Sequence, residues 1–278
     1  MPLGTNNQTV TTGANFIPEI WSPLVVKATE ANLVLWNRTW DWSEDNGDII
    51  HSPNVSNLTA NTKTAGSQVT LNAPTEDVTN LTVSTHRECS FLIEDILKAQ
   101  SKYPLSKYYT DKAGYAIAQV MDTAVSTNFA NFSQFVGVAG SPLGDAQILD
   151  AIEYLDLADV PDDGGRCAVI HPSQKNAIFK IDKFVRADFS GNGPSKILTK
   201  GQIGDIYGVM FYVTTNLSTS SGARLNAMFH KEAIMTGVSY GPRTQGAYIL
   251  EYLANLVVVD VVYGTGESRD AFGVWMRS

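Results

Sequence analysis

Hydrophobic positions along this chain change their period near Lys102. From about Asp48 to Ser90 the residues alternate, with Val78, Leu81 and Val83, and then Phe91 and Ile93, at strand-like spacing in a Thr- and Asn-rich background. Too few of them are large for this stretch to build a core, so it needs a surface supplied by something else. From about Pro104 to Phe132, residues Ala113, Ile117, Val120, Met121, Ala124, Val125 and Phe129 recur at three- and four-residue steps, which predicts one long helix with an apolar stripe. Pro104 suits its first turn, and at about 1.5 Å per residue the helix would span roughly 40 Å. An extended hairpin that cannot fold alone, beside so long a helix, suggests a subunit completed by its neighbours.

On either side of this junction the pattern is shorter-ranged. Trp21, Leu24, Val25, Ala28, Ala31 and Leu35 give a coarse helical face over about Glu19 to Leu35, readable either as a helix on its own core or as an arm lying across a partner. Asn46-Gly47 marks a turn, Ile49 to Val55 one strand, and Leu81 to Ile93 its return, with a polar excursion around Ala65-Gly66 between them. Beyond Ser141-Pro142, residues Asp145 to Leu157 form an amphipathic helix with Ile148, Ile152 and Leu155 on one side and Asp150, Glu153 and Asp156 on the other. Ala168-Val169-Ile170 predicts a buried strand stopped by His171-Pro172, and Ser173 is placed to cap a further helix holding Ala177, Ile178 and Ile181. Gly191 to Pro194 reads as a loop, and the glycines of Gly201 to Gly208 as turns before a strand over Val209 to Val213. The remainder offers strands at Ala227 to Phe229, Val257 to Val262 and Gly273 to Met276, the last two separated by Gly264 and Gly266. Helices and strands mixed without strict alternation make an α+β pattern.

Composition narrows the function more than the fold. The 278 residues are 44% apolar and 17% charged, ordinary for a packed protein. Two cysteines, Cys89 and Cys167, are too few for a disulfide framework or zinc knuckle and read as reduced thiols of a protein made in the cytoplasm. The opening MPLGTNNQTVTTG has neither a basic nor an apolar signal region, and no apolar run is long enough to cross a bilayer, so no membrane partner is expected. The net charge of −8 is uneven: residues 41–100 hold nine acids against three bases, which argues against a chain that grips nucleic acid.

Chemical motifs do not emerge. Gly201, Gly204 and Gly208 lack the spacing and the Lys-Ser/Thr of a phosphate loop, and His51, His86, His171 and His230 stand apart with no metal-ligand spacing. Asp162-Asp163-Gly164-Gly165 reads as a solvated turn. No catalytic residue, cofactor or metal ligand is assigned, and an enzyme is not expected. One charge pattern does stand out: residues 145–163 carry seven acids and no Lys or Arg, whereas 171–200 carry Lys175, Lys180, Lys183, Arg186, Lys196 and Lys200 against two acids. These are either two solvated faces or opposite edges of one module that meet in a ring.

Taken in order, the arm, hairpin loop and spine helix, then Arg166-Cys167-Ala168-Val169-Ile170-His171-Pro172, then Gly201 to Val209 ahead of Thr215-Asn216-Leu217, resemble a tailed-phage major capsid protein. Phe229-His230-Lys231-Glu232-Ala233, and Tyr263-Gly264 ahead of Arg269-Asp270, are similar to the closing segments of such proteins. The resemblance implies the fold named after phage Hong Kong ninety-seven: an N-terminal arm over 1–47, an extended β-hairpin loop over 48–92, a peripheral domain with its spine helix over 93–140, an axial domain over 141–224, and return strands, mainly peripheral, over 225–278.

It also implies function and partners. The chain would be the shell subunit of an icosahedral head, assembled in the host cytoplasm into pentamers and hexamers and enclosing double-stranded DNA without reading its sequence. Because the arm begins almost at Met1, a separate scaffolding protein is implied, together with a portal and, in shells that carry one, a decoration protein. The candidate interface residues are Trp21 on the arm, Lys63 in the loop, Asp156 in the acidic helix, and Lys180, Lys183 and Arg186 in the basic stretch. Some relatives join a loop lysine to a neighbour's asparagine. Lys63 is the only lysine in the loop and no matching asparagine and glutamate are found, so crosslinks are not expected. The alternative is a shell subunit of an encapsulin-like compartment, which neighbouring cargo genes would favour.

Overall fold

The computed structural model describes residues 35–43, 47–55, 58–100, 105–181 and 204–278. The helix expected over about Glu19 to Leu35 lies outside these, except for Leu35, as does the loop at Gly191 to Pro194. A 3-10 turn, Trp36–Arg38, leads into the short strand β1 (Trp40–Asp41). Strand β2 (Ile49–Val55) then pairs antiparallel with β3 (Glu76–Thr82), from Ile49 opposite Thr82 to Val55 opposite Glu76. Between them, residues 58–75 carry no regular structure beyond a turn at Gly66, closed by the Ser67 N–H on the Thr64 carbonyl at 3.2 Å.

The return of this hairpin is not the single strand expected from Leu81 to Ile93. It breaks after Thr82, and β4 (Thr85–Glu94) leaves for a different sheet. Val83 sits at the break, buried, its N–H donated to the Asp48 carbonyl at 2.7 Å. The hairpin is thin, as its composition requires. Only its base is covered, where Ile50, Leu81 and Val83 pack with Met235. Further out, Leu58, Val69 and Leu71 are 64%, 59% and 84% exposed.

The long helix forms as the apolar spacing demands. After α1 (Asp95–Gln100), α2 (Leu105–Thr127) runs for 23 residues, about 35 Å, and tightens into a 3-10 turn over Asn128–Asn131. Ala113, Ile117, Met121, Val125 and Phe129 are buried at strict four-residue steps, while Val120, expected on the stripe, is exposed. Phe129 packs against Phe229 and Phe132 with ring centres 5.2 and 6.1 Å away. A second buried row is polar. Asp122 accepts the Leu35 N–H at 3.2 Å, and Ser126 donates to the Asn216 carbonyl at 3.2 Å, so the helix fixes chain segments on both of its sides.

The rest of the chain supplies a second module and closes the first. It contains β5 (Phe135–Val136), α3 (Asp145–Leu157), β6 (Arg166–Ile170), α4 (Pro172–Ile178), β7 (Gly204–Ile206), β8 (Val209–Val213), β9 (Thr219–Ser220), β10 (Ala223–His230), β11 (Ile234–Ile249), β12 (Ala254–Glu267) and β13 (Gly273–Arg277). One sheet has the order β1-β11-β12-β4; a larger one runs β5-β13-β10-β6-β8-β7, with β9 beside β10. In the larger sheet, Ala168, Ile170, Met228, Val274 and Met276 face α3 and α4, meeting Ile148, Ala151, Leu155 and Ile178. Cys167, Val169, Leu225, Ala227, Phe229 and Trp275 face the other way and join α2 in the first core. Strands β10 and β13 are therefore buried on both faces and lock the two cores together.

Local chemistry explains several elements. Helix α3 matches the expected limits, with Gln147 reaching back to the Gly144 N–H at 2.9 Å. Helix α4 is capped not by Ser173 but by His171, whose Nδ1 accepts the Ser173 N–H at 3.3 Å, with Pro172 in the first turn. Burial holds the His171 imidazolium down, which favours the neutral ring that can accept. Ile206 pairs with Val209 across Tyr207-Gly208, whose φ of 54° and 81° make the two-residue turn that matches strand twist.

Strand β11 was not expected from the sequence, because glycines and Pro242 interrupt it. The structure accommodates them through register shifts between Val238 and Tyr240 and between Tyr240 and Arg243. Gly264 and Gly266 likewise lie inside β12 and do not separate strands. A Cβ at Gly264 would collide with the Thr82 carbonyl and stand 2.9 Å from Val83 Cα, so glycine lets β12 pass beneath the base of the hairpin. Gly264→Ala is expected to destabilise the subunit by about 1–3 kcal/mol through overpacking. Thermal melting should fall by several degrees; an unchanged midpoint would show that the hairpin base does not depend on this contact.

Candidate subunit interfaces

Three of the six sequence-derived interface residues, Lys63, Asp156 and Lys180, lie among the described residues. Trp21, Lys183 and Arg186 lie outside the described residues. Lys63 is exposed in the loop between β2 and β3, its Nζ donating to the Thr64 carbonyl at 2.8 Å. Asp156, on the outward side of α3, accepts from the Arg166 guanidinium at 2.6 Å and is thus already used within the subunit. Lys180 follows α4 and is exposed. Helices α3 and α4 lie on the same face of the larger sheet, and the Leu143 N–H before α3 donates to Gln174 of α4 at 2.8 Å. Helix α3 and the described start of the basic stretch, α4, are therefore neighbours in one layer.

The loop's two legs are tied by polar side chains, not by a core. Asn61 donates to Asn72 at 2.9 Å, and His51 and Asn80 are bonded side chain to side chain at 2.5 Å across the hairpin. Such ties hold an extended shape while leaving Leu58, Val69 and Leu71 in water. A site that exposes apolar residues on a preformed frame is suited to a protein surface.

Titratable groups elsewhere are mostly satisfied. Asp163 accepts from the Gly165 N–H at 2.8 Å and from His230 at 3.1 Å, which bring its carboxyl down to about 2. His230 is buried, its Nδ1 accepting the Glu232 N–H, so its Nε2–H is the donor to Asp163. Gly165 packs directly on this ring. The Asp162 to Gly165 segment is thus a turn tied to a structural histidine. Asp260 is held below the usual carboxylate range by Arg243, which grips it through Nε at 2.9 Å, and by His86 and Tyr240 at 3.1 and 3.2 Å. These four residues bind β4, β11 and β12 together at the register shift. Cys167 is buried and its thiol pushed up to about 12, while Cys89 is half-buried; both are free. Among the described residues, no group of three His, Cys, Asp or Glu could hold a metal ion, and no helix is long and apolar enough to cross a membrane.

This architecture, a spine helix and two sheets carrying a coreless hairpin, has relatives. Residues 46–271 match the family described as phage capsid protein. The chain belongs to that family. Among solved structures it is similar to one from Mycobacterium phage Che8, with a TM-score of 0.74 and 22% identity over 88% of this chain and 90% of that one. It is also similar to the capsid of the cyanophage P-SCSP1u, TM-score 0.73 and 16% identity over 88% of each chain. A third match is the mature capsid of bacteriophage PhiM1, TM-score 0.69 and 15% identity over 88% and 87%. No curated protein matches the chain in sequence.

The chain is therefore a major capsid protein, a structural subunit of a phage shell, with the α+β capsid fold. The encapsulin-like alternative is not favoured by these matches. What sequence reasoning missed in this capsid protein is the cationic and aromatic grouping of Arg277 with Phe135 and Trp275, because these residues come from segments far apart in the chain.

One carboxyl is poised to make the capsid subunit sensitive to pH. Burial, and a hydrogen bond shared with Asp270, raise the Glu267 carboxyl to about 7. Asp270 goes the opposite way: burial alone would raise it, but the Ser133 hydroxyl and N–H, the latter at 2.7 Å, bring it down. Because the folded-state value of Glu267 exceeds its ordinary 4.5, the folded chain holds more protons between about 4.5 and 7, and stability falls as pH rises through that window. His171 acts in the opposite sense, so the comparison must be between variants. Glu267→Gln is expected to remove this fall, so that its melting temperature gains on the parent's as pH is raised from 4.5 to 7. Parallel profiles would show that Glu267 is ionised in the fold.

Proposed function

We propose that this capsid protein assembles head to tail into five- and six-membered rings that close an icosahedral head around the double-stranded DNA of a tailed phage. The exposure of Leu58, Val69 and Leu71 on a hairpin with no core of its own carries this reading. An apolar loop that is costly in water is stabilised when it laps a neighbouring subunit, each such side chain contributing up to about 1.5–3 kcal/mol on full burial. In this scheme residues 1–47 are the arm, 48–92 the loop, 93–140 the peripheral domain, 141–224 the axial domain and 225–278 the return strands. A separate scaffolding protein guides curvature, a portal occupies one vertex, and assembly takes place in the host cytoplasm. The net charge of −8 supports a shell that contains DNA without gripping it. The subunit's work is geometric, not catalytic.

Deleting Thr59 to Asn72 removes the exposed apolar residues Val69 and Leu71 and leaves both cores intact. Soluble, folded subunits that no longer form shells are the expected result. Normal shells in a sedimentation profile of the deletion would refute the lapped-loop scheme.

Charge also supports the ring. Helix α3 with its acids and α4 with Lys175 share one layer, and in a head-to-tail ring the acidic side of one copy meets the basic side of the next. Exposed pairs contribute only about 0–1 kcal/mol each and act mainly on encounter rate. Lys180→Glu combined with Lys183→Glu is expected to slow ring formation at low salt, with the difference shrinking as salt is raised. Equal rates for mutant and parent at low salt would mean that these charges are merely solvated.

A further inference from the structure

Two surfaces occupy the same face of the larger sheet at its opposite edges. At the β5 edge, Val136 enters the core beneath α3, so Phe135 points to the other face, where it is 48% exposed. The Arg277 guanidinium lies 3.5 Å from the centre of the Phe135 ring and 4.3 Å from that of Trp275. Its Nε is buried without a hydrogen-bond partner, and among the described residues no carboxylate pairs with it. Stacking on ring faces leaves the N–H edge of the guanidinium fork directed away from the rings, in the planar geometry that a carboxylate fits.

At the far edge, Ile206, Val209 and Phe211 enter the core beneath the helices, which turns Asp205 and its cross-strand partner Met210 to the opposite face. Met210 pairs with Cys167, whose side chain is in the α2 core, so this is the face that carries Arg277. Asp205 is exposed and Met210 is 47% exposed. Five strand-to-strand steps separate β5 from β7, about 24 Å at about 4.8 Å each. The two surfaces therefore cannot meet within one subunit. One is cationic and aromatic, the other anionic and apolar.

We propose that these are the two halves of one contact, in which the Asp205 carboxylate of a second copy seats on the Arg277 guanidinium while Met210 packs on Phe135. Complementary patches at opposite edges of a molecule generate a head-to-tail interface, the kind that closes into rings when the rotation allows. Arginine and aromatic side chains at the centre of a contact are the usual anchors of binding energy. The inference rests on the shell-subunit reading and deepens it by naming the residues that set register between neighbours within a ring.

The test is charge exchange in the full chain, with shell formation followed by sedimentation velocity and electron microscopy, and folding by circular dichroism. Arg277→Glu and Asp205→Arg are each expected to slow assembly by about tenfold or more, and the double variant to recover most of the loss by restoring the pair in reverse. Single variants that assemble like the parent, or a double variant no faster than the slower single, would overturn the contact. If a single variant fails to fold, the pair Phe135→Cys and Met210→Cys is treated with a short bis-maleimide on assembled shells. Multimers absent from the parent are then expected, and their absence overturns the contact. A parent that forms no shells even when produced together with a scaffolding protein overturns the shell reading itself, whereas parental shells without coupling overturn only this pairing.

Discussion

The apolar stripe of α2 is the constraint on which the rest of this molecule depends. Ala113, Ile117, Met121, Val125 and Phe129 lie against Val259, Val261 and Tyr263 of one sheet and against Ala227, Phe229 and Trp275 of the other, all in a single cluster. A helix about 35 Å long that is buried along two sheets cannot tilt without opening both. Its polar row adds direction to that adhesion, since Asp122 and Ser126 bond main-chain groups at Leu35 and Asn216, on segments 181 residues apart in the sequence. The subunit is rigid where its core is dense.

That rigidity is what makes a coreless hairpin tolerable. Its base is clamped by Ile50, Leu81, Val83 and Met235 and by the close passage of β12 at Gly264, so register is set where the hairpin leaves the body. Beyond the clamp, the side-chain pairs Asn61–Asn72 and His51–Asn80 hold the two legs in extension, at little cost in water. Among the described residues the hairpin sheet has two open edges, and Pro53 within β2 blunts one of them against pairing with the wrong strand. A surface that stays soluble alone yet has apolar side chains to bury suits a subunit that must wait before assembling.

Periodicity told most where it was long. The 3.6-residue repeat of α2 and the two-sided pattern of α3 survive into the structure almost residue for residue, because a single buried face governs both. Strand alternation told less. Nothing in the spacing from Leu81 to Ile93 marks the break after Thr82, since the period is the same on both sides and only the partner strand changes. Strand β11 was hidden for a different reason: Gly237, Gly241, Pro242 and Gly246 read as punctuation, whereas Gly237 makes room for Ile50 and Pro242 falls at a register shift. The cap of α4, expected at Ser173, moved to His171 because both are competent acceptors and it is the imidazole that accepts the first helical N–H, that of Ser173. The family was legible from the order of its segments, whereas a contact between copies leaves no periodic trace in one chain, so the interface residues rested on segment order and local charge.

In the lapped-loop scheme, Leu58, Val69 and Leu71 acquire their packing partners only from another subunit. Hydrogen exchange measured on free subunits and on assembled shells tests it most directly, by comparing protection of this loop with that of α2. Rapid exchange of the loop amides in free subunits, marked slowing on assembly, and little change in the body of α2 are the expected result. Loop amides that exchange at the same rate in subunits and in shells would contradict it.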